Sequence, residues 1–313
     1  MENKVKDLSC AGVKMIKRFE KPVPSAQGMA ILGDLAFQLF HTGRLAIFDL
    51  KSESEEPLAF FPLGSFNDGN PIAEYTNHSN QCMFSSMHYK DNPIPLLYVT
   101  TGSGTGSDED GYYYRCAVED IRLEYDENNK ICGGKAETLQ TIMFKNVDVP
   151  SEYEEPCWGC PAWFIDNDEK VMYIFSARYR TTRAFIEYYD KNAFRITKFP
   201  LPQIEDGEMA QLTGKDILDQ FISPYDILFT QGGMINNGLL YYSFGNGANG
   251  YPNGLRIYDL KKKCLKARMD LTETVFGGEE IESISYWNGV LCCNTNSKPK
   301  GGFYSLGIRE KDI

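Results

Sequence analysis

At 313 residues, 42% of them hydrophobic and 24% charged, the chain is long enough for a sizeable core and has the size of one large domain or two small ones. Its 13% aromatic content excludes a disordered chain. With 43 acidic and 32 basic residues the formal charge is −11, which argues against nucleic acid as a partner, because such partners are held by Lys and Arg on phosphates.

No run of ~18 apolar residues marks a membrane span, and the start, Met1-Glu-Asn-Lys-Val-Lys, lacks the apolar stretch and small-residue cleavage site of a secretory signal. A cytoplasmic location without membrane attachment is the expectation, an exported chain with its signal already removed being the alternative. The nine cysteines are odd in number and scattered without the spacing of a disulfide scaffold, which fits a reducing compartment. Cys82 and Cys292 lie in apolar runs and are expected to pack as small hydrophobes.

In chain order, the texture is short apolar and aromatic runs punctuated by Gly, Asn, Asp and Pro: 29–32, 35–40, 45–48, 96–99, 171–175, 239–244 and 290–293. Runs of this length and spacing predict strands throughout, and therefore an all-β class. Gly33-Asp34, Thr42-Gly43, Asn237-Gly238 and Asn288-Gly289 stand between them as hairpin turns. Residues 208–221 carry apolar positions near helical spacing and end at Pro224, predicting one short inserted helix near 213–222. Val13-Lys-Met-Ile-Lys-Arg-Phe19 is expected to pair with the last strands and remove two open sheet edges.

One internal repeat is clear. Gln27-Gly28 opens a hairpin and a third strand ending in Phe48-Asp-Leu-Lys51, while Gln231-Gly232 opens the same plan ending in Tyr258-Asp-Leu-Lys261. In both, the Asp is placed to close a turn on nearby backbone N–H groups. Weaker copies open at His78, Cys160 and Glu282, so the openings fall near residues 27, 78, 160, 231 and 282. Spacings of 51, 82, 71 and 51 match four-stranded blades with insertions in the second and third units. The expectation is a single β-propeller domain over 1–313, of five blades, or six if the stretch 112–156 forms a sheet of its own.

The Gln-Gly opening, His78-Ser79-Asn80 before the second unit, the Asp-Leu-Lys strand ends and Glu280-Ile281-Glu282 before the last Trp-Asn-Gly hairpin resemble a group of uncharacterised bacterial β-propeller proteins, many from gut anaerobes, over residues 25–306. The resemblance implies the fold and leaves the chemistry open, since propellers host lectins, hydrolases, lyases and scaffolds. The Trp-Asp and Gly-His signature of WD repeats and the Ser-x-Asp-x-Gly-x-Thr-Trp box of sialidases are missing.

First strands of propeller blades line a central channel, so polar residues at the openings are expected to converge there: Gln27, His78, Asn80, Gln231, Glu280 and Glu282. Glu280 and Glu282, two apart on a strand, share a face, and two carboxyls of unequal solvation can act as proton donor and acceptor. The competing assignment has one carboxylate capping backbone N–H groups and the others solvated. His78 is a candidate base or ligand, or a structural histidine at the blade start. His41 and His88 are assigned no role.

Trp163, with Trp158, Tyr112, Tyr113, Tyr114 and Tyr251, is a candidate sugar-stacking platform, core packing being the alternative. Cys157-Trp-Gly-Cys160 has zinc-site spacing but no second pair, so no metal and no cofactor are expected. Gly102-Ser-Gly-Thr-Gly-Ser lacks the third glycine of a dinucleotide loop and runs into Asp108-Glu-Asp110, so a solvated turn is expected rather than a phosphate or calcium loop. Lys261, Lys262 and Lys263 read as a solvated turn. The Gly- and Asn-rich stretch 246–254 reads as an exposed binding loop.

Two functions follow. One is a binding propeller that holds a small polar ligand, a carbohydrate among the candidates, with Gln27, Asn80, Gln231 and Trp163 as contacts. The other is a carbohydrate-active enzyme, hydrolase or lyase, that uses Glu280 and Glu282 with His78.

Overall fold

The computed structural model describes residues 4–65, 79–101, 112–158, 161–178, 194–223 and 229–313. Within them the strands form five separate sheets, each opened by an innermost strand and built outward by antiparallel hairpins. Two strands precede the first blade, β1 (Lys6–Asp7) and β2 (Lys14–Phe19). Blade one is β3 (Ala26–Leu32), β4 (Leu35–Phe40), β5 (Arg44–Asp49) and β6 (Ala59–Pro62). Blade two is β7 (Ser79–Phe84), β8 (Leu97–Thr101), β9 (Tyr112–Tyr125) and β10 (Ile131–Lys145). The stretch beginning at 112 thus supplies the outer half of blade two, and the number of blades is five.

Blade three is β11 (Ala162–Asp166), β12 (Val171–Ala177), β13 (Phe194–Pro200) and β15 (Asp219–Ser223). Between its last two strands the chain detours to blade two, where β14 (Met209–Thr213) pairs parallel with β10. Blade four is β16 (Thr230–Asn236), β17 (Leu239–Asn246), β18 (Tyr251–Asp259) and β19 (Cys264–Asp270), extended by β1 in parallel. Blade five is β20 (Ile281–Trp287), β21 (Val290–Thr295) and β22 (Gly301–Arg309), and β2 supplies its fourth strand. The N-terminal strand therefore closes the ring, as its sequence predicts. Lys17 adds to the closure by donating to the Asp49 and Ser52 carbonyls of blade one, at 3.0 and 3.1 Å.

The helix expected near 213–222 is absent. Residues 214–216 form a single 3-10 turn, with Asp216 accepting from the Thr213 N–H at 2.7 Å, and β15 follows as the outer strand of blade three. Ile217, Leu218, Phe221 and Ile222 fit either period in so short a segment, and blade three's need for a fourth strand decides between them.

The hairpin turns fall where the sequence marks them. Asn237-Gly238 and Asn288-Gly289 have positive φ at both residues, the geometry that matches strand twist in a two-residue turn. The aromatic content is spent at the seams, where each pair of neighbouring blades is joined by a ring contact. These are Phe37–Phe84 at 4.9 Å, Phe144–Phe199 at 5.1 Å, Phe175–Tyr242 at 4.3 Å, Tyr241–Tyr286 at 5.7 Å and Phe48–Phe303 at 5.6 Å. Among the described residues no helix is long and apolar enough to cross a membrane.

Candidate functional site

Four of the five innermost strands break their pairing at the same level, near their N-terminal ends. The bulges lie between Ala26 and Met29, Ser79 and Gln81, Thr230 and Gly233, and Ile281 and Ser283. A bulge leaves its extra residue outside the ladder and re-aims its side chain. The residues so released are Gln27, Asn80, Gln231 and Glu282, the polar openings that the repeat analysis singles out.

The Gln-Gly spelling of two of these bulges has a steric reason. A Cβ at Gly28 would lie 2.8 Å from Cys82 N and Gln81 Cα, and one at Gly232 would lie 2.9 Å from the backbone oxygen of Glu282. Inner strands of different blades approach too closely there for any side chain.

Opposite the bulges, each second strand carries one polar residue that bonds an inner-strand carbonyl or its vicinity. Gln38 donates to Gln27 O at 2.9 Å, Ser243 to Gly232 O at 2.7 Å, Asn294 to Gln27 O at 2.6 Å and Ser176 to Pro156 O at 2.6 Å, while Thr100 donates to Asn80 Oδ1 at 2.7 Å. Gln81 crosses the hub from blade two to blade four: its Nε2 donates to Gly233 O, and its Oε1 accepts from Gly233 N at 3.0 Å and from Ser283 Oγ at 3.2 Å. This crossing divides the channel. Below it lies an apolar pocket of ≈ 190 Å³ lined by Met29, Cys82, Met234 and Ile284 among others. Above it lies the polar half.

The polar half centres on two carboxyl groups. Glu282 is 1% exposed, and its Oε1 has no hydrogen-bond partner among the described residues. Burial pushes this carboxyl well above the usual range and the nearby Glu280 charge pushes it further, against a hydrogen bond from Asn296 and the field of Lys21.

Glu280 is half-buried and held by side-chain amides: Asn246 Nδ2 at 2.7 Å and Gln231 Nε2 at 3.3 Å on one oxygen, and Asn296 Nδ2 at 3.4 Å on the other. Burial raises it as well, opposed by the Gln231 and Asn296 bonds and by Lys21 and Lys298. Glu279 is committed elsewhere, to Arg18 at 2.6 Å, Tyr304 OH at 3.0 Å and Thr295.

Asn296 joins these parts, its Oδ1 accepting from Lys21 Nζ and from Ala26 N, both at 3.1 Å. Outward from Glu280 and Asn296 opens a cleft of ≈ 780 Å³ between blades four and five, walled by Asn246, Asn249, Arg18 and the 297–300 turn.

Of the other expected contacts, Trp163 is 1% exposed on β11 within the blade-three core, and its Nε1 has no partner among the described residues. Trp158 is buried with its Nε1 on Glu155, and Tyr251 packs on the Phe229 ring at 4.2 Å. His78, Cys160, residues 102–110 and the side chains of Tyr112, Tyr113 and Tyr114 lie outside the described residues. Cys157 is buried, and burial pushes its thiol well above its usual value. Among the described residues no three His, Cys, Asp or Glu groups come together as a metal site.

The sequence reading missed Asn246, Asn294, Asn296, Gln38, Gln81 and Lys21. The second-strand residues among them had a signal, a lone polar residue late in each apolar run, in Leu35-Ala-Phe-Gln38 and Val290-Leu-Cys-Cys-Asn294 alike. Asn246 belongs to the stretch expected to be exposed, but it is 5% exposed and turned inward onto Glu280.

No protein-family model matches the chain, and no curated protein matches it. Solved structures with a similar chain path include the glutaminyl cyclase of Myxococcus xanthus, at 11% identity, covering 93% of this chain and 95% of that one with a TM-score of 0.45. The tail fiber of Staphylococcus aureus phage P68 matches at 11% identity over 94% of this chain and 52% of that one, TM-score 0.48. The Pan2 WD40 domain of Neurospora crassa matches at 9% identity over 97% and 98%, TM-score 0.43. At such identities the likeness concerns chain path only, and no ligand or chemistry passes from these proteins to this one.

Proposed function

We propose that the protein is a binding propeller that holds a small hydroxyl-rich ligand, a carbohydrate, in the polar half of its hub. The observation that carries this reading is the buried Glu282 Oε1, which has no partner among the described residues, with a second unpartnered acceptor, Asn294 Oδ1, on the adjacent strand. Nearby, the Glu280 carboxylate takes the amide donors of Gln231, Asn246 and Asn296, and Asn296 Oδ1 in turn takes Lys21, so that acceptors and donors are mixed. Hydroxyl groups both donate and accept, so a polyol satisfies such a mixed wall better than a purely anionic or purely cationic ligand. The test is a glycan array followed by calorimetry on the best saccharide. Glu282→Gln is expected to weaken binding about tenfold or more, the scale of one lost buried hydrogen bond to a charged or acidic group; undiminished binding by this variant refutes the reading.

The second reading, a carbohydrate-active enzyme, draws support from the unlike surroundings of the two carboxyls, one sealed and proton-retaining, the other held by amides at the cleft wall. It requires that wild-type protein turn over a bound saccharide and that Glu280→Gln and Glu282→Gln each abolish turnover. Saccharide binding without turnover leaves the first reading.

A further inference from the structure

The cations around the cleft fall into two kinds. Arg18 is paired with Glu279 at 2.6 Å, and Lys300 with Glu20 at 2.9 Å and with Glu55. Lys21 and Lys298, in contrast, have no ion pair among the described residues. Lys21 is half-buried and directs its ammonium at the amide oxygen of Asn296, while Lys298 is exposed on the cleft rim.

Both stand by Asn296, with Lys21 Nζ 3.1 Å from its Oδ1 and Lys298 following it in the turn that walls the cleft. The charge of Lys298 opposes that of Lys21, and both act on Glu280. The two like charges, one of them partly desolvated, repel each other. Of the carboxyls that act on Lys21, Glu282 is pushed toward its protonated form by burial, Glu279 is paired with Arg18, and Glu280 already receives three amide donors. An anion bound at this point would relieve both ammonium groups.

We propose that the ligand is an acidic sugar, whose hydroxyls reach inward to Glu280 and Glu282 while its carboxylate lies between Lys21 and Lys298. This rests on the hub reading above and adds the chemical class. Lys298 serves as the outer clamp, open to solvent and screened by salt. Lys21 serves as the inner one, fixed by Asn296.

The experiment compares a trimer of galacturonic acid with a trimer of galactose by calorimetry on the full chain, at low and at high salt. The acidic trimer is expected to bind about tenfold more tightly, the scale of two partly screened ion pairs, and the advantage is expected to shrink as salt is raised. Lys298→Gln, at an exposed position that leaves the fold intact, is expected to remove most of the advantage and leave the neutral trimer unaffected. Lys21→Gln, checked by its melting curve, is expected to remove the advantage as well and, because Lys21 holds Asn296 beside Glu280, to weaken the neutral trimer to a smaller degree. Equal affinities of wild-type protein for the two trimers, or an advantage that survives both substitutions, overturns the acidic assignment while the hub reading stands. If no saccharide, acidic or neutral, binds wild-type protein, both fall together.

Discussion

Glu282 links a single side chain to the pH behaviour of the whole fold. Its folded carboxyl is raised above the value of 4.5 that it has when free, chiefly by burial. The folded state therefore keeps a proton that the unfolded chain releases. The resulting stability is fully present below the free carboxyl's range and is lost as pH rises from there toward the raised folded value. Glu282→Gln removes the proton-binding difference, so the variant is expected to melt above wild type by a few °C near neutral pH, with the gap closing as pH falls toward 4.5. Melting curves across that range check it, and a gap that does not depend on pH contradicts it. Glu119, also buried and raised, is satisfied by Gly64 N, Ser65 N and Thr138 Oγ1 and contributes equally to both proteins.

Gln81 is the complementary case, a buried amide with all its bonds made. Gln81→Leu leaves the N–H and C=O of Gly233 unpaired inside the hub and is expected to cost about 2–4 kcal/mol in urea unfolding. Gln27, Asn80, Gln231 and Glu282 could be singled out in the sequence because they stand at the openings of the repeated units. Gln81 and Asn296 were not, because their partners lie in other blades, at separations of 152 and 270 residues for Gly233 and Ala26.

Among the elements, the hairpins were the readable part, since two-residue turns and apolar runs are local signals. Segment 213–222 was misread for the opposite reason: its length admits either period, and only the missing edge of blade three selects a strand. The detour of β14 to blade two has no sequence signal either, because a parallel edge pairing leaves no local mark. The seam aromatics give the elements their energetics. Phe19 on β2, fully buried against Phe48 at 5.0 Å and Phe303 at 4.5 Å, holds the closing strand to blades one and five. Phe19→Ala is expected to lower stability by about 3–5 kcal/mol, read as a shift of the urea midpoint. Deleting residues 1–20 is expected to do more, baring the whole outer edge of β22, and size-exclusion chromatography should then show self-association through that edge.

For the molecule as a whole, most pairings within a blade are local, while the contacts that make a ring of the blades are not. An early strand, Lys14–Phe19, rests against one made much later, Gly301–Arg309. During synthesis the early segment has no sheet to join until Gly301–Arg309 has emerged, so this docking comes after the other blades have been made. Truncated nascent chains remain incomplete however many blades they already contain, and the leading residues wait, exposed, for their place.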